Sequence, residues 1–407
     1  MVEEKEVTEY ISRACDFLIR DQNEDGSWSM KHEKLKEPPS PYQNSLIITS
    51  QSLQSLIFAV KPKYVDSIKK AINFCINSEL SPEDSVDLWA WKLSALNFSN
   101  TVKSEKLKEI IIKILKEKQE ESGCWPYYPH TFTLTNYSVC NALPKEKVEE
   151  TISKAIKWFK KARKGKGWSR DDKDDKIEPS FTANGILSLI KLGEQPPKEA
   201  VDYLESEQED NGGWRVLSDS GQWENVTSYS TALCVSSLLL ANGSREKVEK
   251  GMEYLLKCQD ESGRILRSPN EKETYHYLFY YVIQALELYL YSKNNILDLH
   301  KFEEEKKQQF LFACYRNVLN SRALGVTEQS RIRRKDILRA LEEGDKEVAE
   351  IIDYLKKDNK YQHLNKKSHI TQIKSDVEYL RSIKLIGKRR ESYYISTNLL
   401  QPLTKIF

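Results

Sequence analysis

The sequence predicts an all-α ring of six helical hairpins, an (α/α)6 toroid, followed by a small basic α+β domain. Three observations support this prediction: a glycine-tryptophan phrase recurs, apolar helical stretches flank each copy, and the charge changes sign after the last copy. Residues 1–299 contain 40 Lys and Arg against 46 Asp and Glu, whereas residues 300–407 contain 23 against 15. The predicted domains are 1–295 for the ring, 296–330 for a linker helix and 331–407 for the basic domain.

The recurring phrase is a helix that ends in Gln, followed by a turn with an acidic residue and Gly, and then Trp. The clear copies are Gln22-Asn-Glu-Asp-Gly-Ser-Trp28, Gln119-Glu-Glu-Ser-Gly-Cys-Trp125 and Gln208-Glu-Asp-Asn-Gly-Gly-Trp214. Weaker copies at 165–168 and 259–264, and a degenerate one at 74–82, bring the number to six. Gly permits the positive φ of a sharp helix end, the Gln amide can satisfy free carbonyl groups, and Trp fills the space between repeats. The phrase is therefore expected to be structural.

A second helix follows each copy and is apolar on nearly all sides, as is typical of a helix buried between two layers. The first helices carry one apolar stripe and one charged face, which indicates an outer layer. The predicted inner helices are Ser45–Ala59, Val86–Leu96, Thr135–Leu143, Phe181–Leu192, Ser230–Ala241 and Tyr277–Tyr291.

These phrases resemble the QW repeat of squalene and oxidosqualene cyclases, and more widely the terpenoid cyclase/protein prenyltransferase toroid superfamily. The resemblance covers about residues 8–292 and implies the (α/α)6 toroid. The same ring also serves proteins that are not cyclases, so the resemblance leaves the activity open.

Class II terpene cyclases protonate an alkene with an aspartic acid of a DxDD motif. Asp172-Lys-Asp174-Asp175 has these letters, but Thr182-Ala183 lies seven residues beyond it and the charges alternate around it. We therefore expect this segment to be a solvated loop, with Asp87 and Asp174 as the only candidate acids if the protein is an enzyme.

Protein prenyltransferases bind zinc through an Asp-x-Cys and a later Tyr-His. Tyr275-His276 matches the second pair, but Val226 and Ser228 stand where the Asp and Cys should be. One imidazole is not a zinc site, so neither a metal nor a cofactor is expected.

The starts of the inner helices carry aromatic and polar residues that a ring would gather at one end of its interior. This pattern favours a small-ligand pocket, for example for an apolar isoprenoid-like molecule, or a hydrogen-bonded plug. The residues are Tyr42, Asn44, Asp87, Trp89, Asn136, Tyr137, Thr182, Asn184, Tyr229, Thr231, Tyr275 and His276.

The last domain resembles a winged helix: three predicted helices, Arg334–Glu343, Glu347–Lys357 and Thr371–Ser382, precede a hairpin with a basic tip. In that fold the third helix and the wing can contact DNA, and other winged-helix domains bind proteins. The predicted nucleic-acid contacts are Thr371, Gln372, Lys374, Ser375, Arg381, Lys388, Arg389 and Arg390.

Since the acid and zinc patterns are incomplete, the sequence favours a non-catalytic, cytoplasmic regulator or accessory subunit. Its ring would bind a ligand or partner, and its basic domain DNA or a protein. A purely structural scaffold and a single-domain enzyme similar to class II terpene cyclases are the alternatives. The seven cysteines lack paired spacing, and no apolar stretch reaches membrane-spanning length.

Overall fold

The molecule is mostly helical, as the sequence predicts. The computed structural model describes residues 2–29, 41–99, 101–126, 133–144, 148–171, 174–217, 223–272, 274–320, 328–342, 345–357, 361, 367–382, 386–389 and 392–395.

Twelve helices form the six hairpins of the ring. They are α1 (Glu4–Arg20), α2 (Pro41–Phe58), α3 (Val65–Asn77), α4 (Val86–Leu96), α5 (Val102–Glu117), α6 (Thr133–Ala142), α7 (Glu149–Ala162), α8 (Pro179–Lys191), α9 (Lys198–Ser206), α10 (Ser228–Leu240), α11 (Arg245–Lys257) and α12 (His276–Asn294). A short antiparallel hairpin of β1 (Trp214–Leu217) and β2 (Trp223–Thr227) precedes α10.

The even-numbered helices form a closed inner layer. Each packs on the next from α2 to α12, and α12 packs on α2. In α10, for example, eleven of thirteen residues are buried, whereas α7 buries a stripe at 151, 152, 155, 158 and 159. This contrast confirms the predicted toroid, with apolar inner helices and amphipathic outer helices.

Each Gln-Gly-Trp turn binds its own repeat to the next. In the fifth repeat the Trp214 indole donates to the carbonyl of Leu204, 2.7 Å away, which closes the end of α9. The Gln208 amide donates to the carbonyls of Gly212 and Lys247, both at 2.8 Å, and Lys247 belongs to the following outer helix. The predicted structural role of the phrase is thus visible in its hydrogen bonds.

The last turn uses the same contacts to close the ring. The Gln259 amide donates to the carbonyl of Tyr10 in α1, 3.0 Å away. Gly263, at a φ of +92°, lies against the backbone of Arg13, as Gly212 lies against that of Lys250. The first outer helix therefore occupies the place of a seventh one.

Four helices and a second hairpin follow: α13 (Leu299–Asn320), α14 (Glu328–Glu342), α15 (Val348–Lys356), α16 (Lys367–Ser382), β3 (Ile386–Arg389) and β4 (Ser392–Ile395). The chain divides into two compact units. The first comprises residues 1–60, 66–98 and 103–307, and the second 61–65, 99–102 and 308–407.

Within the second unit, α14, α15 and α16 pack on one another around Ile337, Ile373, Val377 and Leu380. Lys346 pairs with Tyr393 of β4 through two backbone hydrogen bonds, a single bridge beside the two-stranded hairpin. The order of three helices and a hairpin agrees with the sequence, while the winged-helix identity of this unit stays a prediction.

Candidate functional site at the mouth of the toroid

One end of the ring, where the inner helices begin, presents side chains that are partly exposed within an otherwise buried layer. We call this end the mouth. Apart from the Ser45 hydroxyl, these side chains include one acidic group and five that are aliphatic or aromatic. They are Ile47, Asp87, Leu134, Phe181, Tyr229 and Tyr277, one from each inner helix. Among the described residues, the mouth therefore combines apolar walls with a single carboxyl group.

Asp87 lies at the second position of α4, and protein surrounds it although its side chain stays partly exposed. The Thr135 hydroxyl of the neighbouring helix α6 donates to Asp87 Oδ2 at 2.9 Å. Burial raises the pKa of Asp87 to about 6, against the lowering effect of hydrogen bonds from Thr135 and Ser138. This carboxyl can thus hold a proton near neutral pH.

Tyrosines from three other inner helices meet inside the ring beside Asp87. The rings of Tyr229 and Tyr281 form an edge-to-face pair with centroids 4.8 Å apart. Burial raises the pKa of Tyr281 well above its usual value, and the charges of Tyr229, Tyr137 and Asp87 raise it further. Asp87 and Tyr281 lie on inner helices that are not neighbours, so the influence of Asp87 on this pKa indicates that both side chains face the ring interior.

Below these residues the Tyr280 side chain spans the ring interior. Tyr280 of α12 accepts a hydrogen bond from the Asn141 amide of α6, on the opposite side of the ring, at 3.0 Å. The Trp91 ring packs edge-on against Tyr280, with centroids 5.2 Å apart. Tyr280 and its partners therefore form a floor beneath the mouth.

A second buried carboxyl, Glu178, was not predicted from the sequence. It precedes α8, is 2% exposed and accepts a hydrogen bond from the Ser180 hydroxyl. Burial raises the pKa of Glu178 to about 7, while hydrogen bonds from Ser180 and the Leu217 backbone lower it. Its position under strand β1 could not be inferred, because the charged residues before it suggest an exposed segment.

The acidic loop before Glu178 has the character that the sequence predicts. Asp174 Oδ1 accepts from the exposed backbone of Lys176 at 2.9 Å, and Asp175 is exposed and lies 3.2 Å from Lys164. Asp172 lies outside the described residues. The described part of this loop faces solvent instead of the ring interior.

Three of the predicted mouth residues bind the backbone of the preceding tryptophan. Asn136 accepts from Trp125 N at 2.9 Å, while the Thr182 and Thr231 hydroxyls accept from Trp168 N at 3.1 Å and Trp214 N at 3.3 Å. In the two repeats whose turn lacks tryptophan, an aromatic residue, Trp89 or Phe279, takes the same place on the inner helix. These positions support the repeats.

Tyr275 and His276, before and at the start of α12, are placed differently. The Tyr275 ring stacks on Tyr277 at the mouth, with centroids 5.6 Å apart. His276 is buried against α1, where its Nε2 lies 2.8 Å from Asp21 Oδ2 and its ring stacks on Phe17. That contact lacks hydrogen-bonding geometry. The side chains of Tyr42 and Asn44 lie outside the described residues.

The residues at the positions that would bind zinc in a prenyltransferase make structural contacts here. The Ser228 hydroxyl donates to the carbonyl of Leu266 at 2.7 Å, and Val226 packs with Tyr254 and Cys258. The described residues contain no group of three or more His, Cys, Asp or Glu side chains that could bind a metal ion. No helix in the described parts is long and apolar enough to cross a membrane.

The predicted nucleic-acid contacts are on the second unit. The side chains of Thr371, Gln372, Lys374, Ser375, Arg381 and Lys388 are exposed. Those of Arg389 and Arg390 lie outside the described residues. Arg381 pairs with Glu378 at 3.2 Å.

Comparisons with known proteins identify the fold. The family model of the prenyltransferase alpha-alpha toroid domain matches residues 60–263 and, overlapping, 151–318, together more than half of the chain. No curated protein matches the sequence.

Similar solved structures include a variant of the type II terpene cyclase MstE from Scytonema, in complex with its substrate geranylgeranyl dihydroxybenzoate. It is 13% identical with a TM-score of 0.54, over 71% of this chain and 99% of that chain. A protein from Actinoplanes is 14% identical, with a TM-score of 0.53 over 69% and 99%. An inactive variant of an α-1,6-mannanase from Salegentibacter sp. HEL1_6, in complex with α-1,6-mannotriose, is 13% identical, with a TM-score of 0.52 over 70% and 99%.

These findings correct the functional prediction. The expected non-catalytic regulator is wrong, because the terpene cyclase and the mannanase that share this ring are enzymes. The sequence argument gave most weight to the misplaced DxDD letters and the missing zinc ligands, and it named Asp87 as a candidate acid only for the enzyme alternative. Binding of DNA or of a protein partner by the basic unit finds no support in the comparisons. The ring, its repeats and the family match agree, and the chain belongs to the prenyltransferase alpha-alpha toroid domain family.

Proposed function

We propose that this protein is an enzyme that starts a cyclisation by transferring a proton from Asp87 to a carbon–carbon double bond of an isoprenoid substrate. The observation that carries the proposal is the lone carboxyl group of Asp87 among the apolar and aromatic side chains of the mouth. The reaction type is that of the class II terpene cyclases, one of which has the same fold.

A general acid must hold its proton before the reaction. With an ordinary pKa near 3.8, only about 1% of Asp87 carboxyls would be protonated at pH 6. Burial raises the pKa of Asp87 to about 6, so about half of them are protonated at that pH. The Thr135 hydroxyl then stabilises the carboxylate that remains.

Proton transfer to the alkene uses its π electron pair to form a C–H bond and leaves a carbocation. The π electrons of the next double bond close a ring. The final cation then loses a proton to solvent, from which the Asp87 carboxylate is reprotonated, so the product is an isomer of the substrate. The Tyr229, Tyr277 and Tyr281 rings suit this step, because the faces of aromatic rings attract cations. Apolar walls also keep water from trapping the cation.

The same fold in a mannanase raises glycoside hydrolysis as an alternative. That reaction commonly uses two carboxyl groups on either side of a sugar. At the described mouth positions Asp87 is the sole acid, and Glu178 is bound by Ser180 beneath β1. Aliphatic and aromatic walls also offer few partners for sugar hydroxyls, so the isoprenoid substrate fits better.

The test compares three proteins with one set of substrates. Wild type, Asp87→Asn and Asp174→Asn are each incubated with geranylgeraniol and with a geranylgeranyl-substituted benzoic acid; products are separated by chromatography, their mass is measured by mass spectrometry and their double bonds are counted by NMR. We expect wild type to form an isomer of unchanged mass with fewer double bonds.

Asp87→Asn should lower the rate at least about a hundredfold, as loss of a general acid does. Asp174→Asn, a change of the same type in the exposed loop, should leave the rate unchanged. Product formation by Asp87→Asn at the wild-type rate would overturn the proposal.

A further inference from the structure

Within the described part of the inner helices, one buried amide lacks partners for both its nitrogen and its oxygen. Asn184, in the second turn of α8, has no exposed surface, and among the described residues neither its amide nitrogen nor its amide oxygen has a hydrogen-bond partner. A buried amide without partners costs free energy, so such a group calls for an explanation. Two other inner-helix amides are satisfied, since Asn136 binds the Trp125 backbone and Asn141 binds Tyr280, whereas Gln51 of α2 lacks a partner for its oxygen alone.

The surroundings of Asn184 place it at the wall of the candidate site. Phe181, a mouth residue, precedes it by three positions on the same helix, and so lies on the same face. Burial raises the pKa of Tyr229, and a polar contact of its hydroxyl with the Asn184 amide, which falls short of hydrogen-bonding geometry, lowers it. Tyr137 of α6, the inner helix on the other side of α8, also raises the pKa of Tyr229. Asn184 therefore lies on the mouth side of α8, next to Tyr229.

We infer that Asn184 and the Tyr229 hydroxyl bind a neutral oxygen group of the substrate, a hydroxyl or a carbonyl, and so select oxygenated isoprenoids over hydrocarbons. This inference rests on the proposed function, because it names the class of substrate for the same site.

The chemistry of the two groups determines the ligand class. An asparagine amide offers donors and an acceptor, and a tyrosine hydroxyl offers one of each, so together they match a group that can both donate and accept. Glu178 raises the pKa of Tyr229, so its carboxyl adds negative charge near this hydroxyl when it is ionised and disfavours a phosphate or diphosphate there. A site with hydrogen-bonding groups rejects an analogue that lacks the matching oxygen, since its own polar atoms then stay unpaired.

The experiment measures binding separately from turnover. In the Asp87→Asn background, dissociation constants are determined by tryptophan fluorescence for geranylgeraniol and for the hydrocarbon of the same chain without the hydroxyl. We expect the alcohol to bind at least about tenfold more tightly. With Asn184→Leu added, this ratio should fall to about one, while the hydrocarbon binds no more weakly than before.

Two controls make the result specific. Asn136→Leu removes a satisfied amide from a neighbouring inner helix, so it should lower the melting temperature and leave the binding ratio unchanged. Asn184→Leu should instead raise the melting temperature, because it removes an unpaired polar group. An unchanged ratio in Asn184→Leu, or no binding of either compound when Asn184 is intact, would overturn the inference. An Asn184-dependent ratio without cyclised product from wild type would overturn the proposed function alone.

Discussion

Replacing Gly212 with alanine should destabilise the ring by about 3 kcal/mol, mainly through a clash between two repeats. Gly212 has a φ of +91°, outside the left-handed region that alanine can enter at modest cost. An added Cβ would also lie 2.8 Å from the carbonyl carbon of Lys250, in the next outer helix. The nearest atoms that the Cβ would meet belong to the backbone, which cannot move aside by changing a rotamer. The contact between the α9 turn and α11 therefore has to shift as a whole.

The expected loss of stability has a conformational part and a packing part, and the same change at a second glycine distinguishes them. Gly165 has a φ of +58°, and a Cβ added there would have no heavy atom within 4 Å, so alanine costs only the left-handed conformation, about 1 kcal/mol. At Gly212 overpacking adds about 1–3 kcal/mol to a larger conformational cost.

Urea denaturation followed by circular dichroism measures both variants against wild type. We expect the loss for Gly212→Ala to exceed that for Gly165→Ala by about 2 kcal/mol. Equal losses would show that the glycine is needed for its backbone angle alone, and would refute the argument from repeat packing.

Three further predictions concern other contacts. Gln259→Ala should lower the free energy of unfolding by about 2 kcal/mol, as much as Gln208→Ala, because each change removes two hydrogen bonds to carbonyl groups. Urea denaturation measures both, and a loss of stability in Gln208→Ala alone would contradict the closure of the ring by Gln259. Glu178 has a pKa raised from 4.5 to about 7 by burial, so folding binds a proton between these values and its contribution to stability is lost as pH rises from about 4.5 to 7. Wild type should therefore lose about 3 kcal/mol more than Glu178→Gln between pH 4.5 and 8 in urea denaturation, and parallel curves would argue against it. Asp376→Asn, in the second unit, should cost about 3–5 kcal/mol because Asp376 is fully buried between two arginines; unchanged thermal unfolding of that unit would contradict this.

The repeat could be predicted because its residues act locally. A Gln, a Gly and a Trp at fixed spacing make the same contacts in every full copy, so their identities alone indicated the turn and the number of hairpins. The boundaries of α4 were predicted to the residue, and the other inner helices to within a few.

The site could be predicted only in part, because the inner helices are apolar on nearly all sides. Such a helix has no periodicity that tells which face meets the outer layer and which meets the ring interior. Asn136 and Thr182 therefore looked like mouth residues, although they bind the turns. Tyr281 was missed, although its place four residues after Tyr277 puts it on the same face.

The contact between Gln259 and Tyr10 has a consequence for how the chain is made. A linear array of hairpins can fold repeat by repeat and needs polar caps at its ends. In this ring the apolar stripe of α1, which includes Val7, Ala14 and Leu18, finds its last helical neighbour only after α12 has been synthesised. The apolar stripe of the first helix therefore stays exposed while more than 200 further residues are synthesised. This interval is when it is most exposed to aggregation and depends most on chaperones.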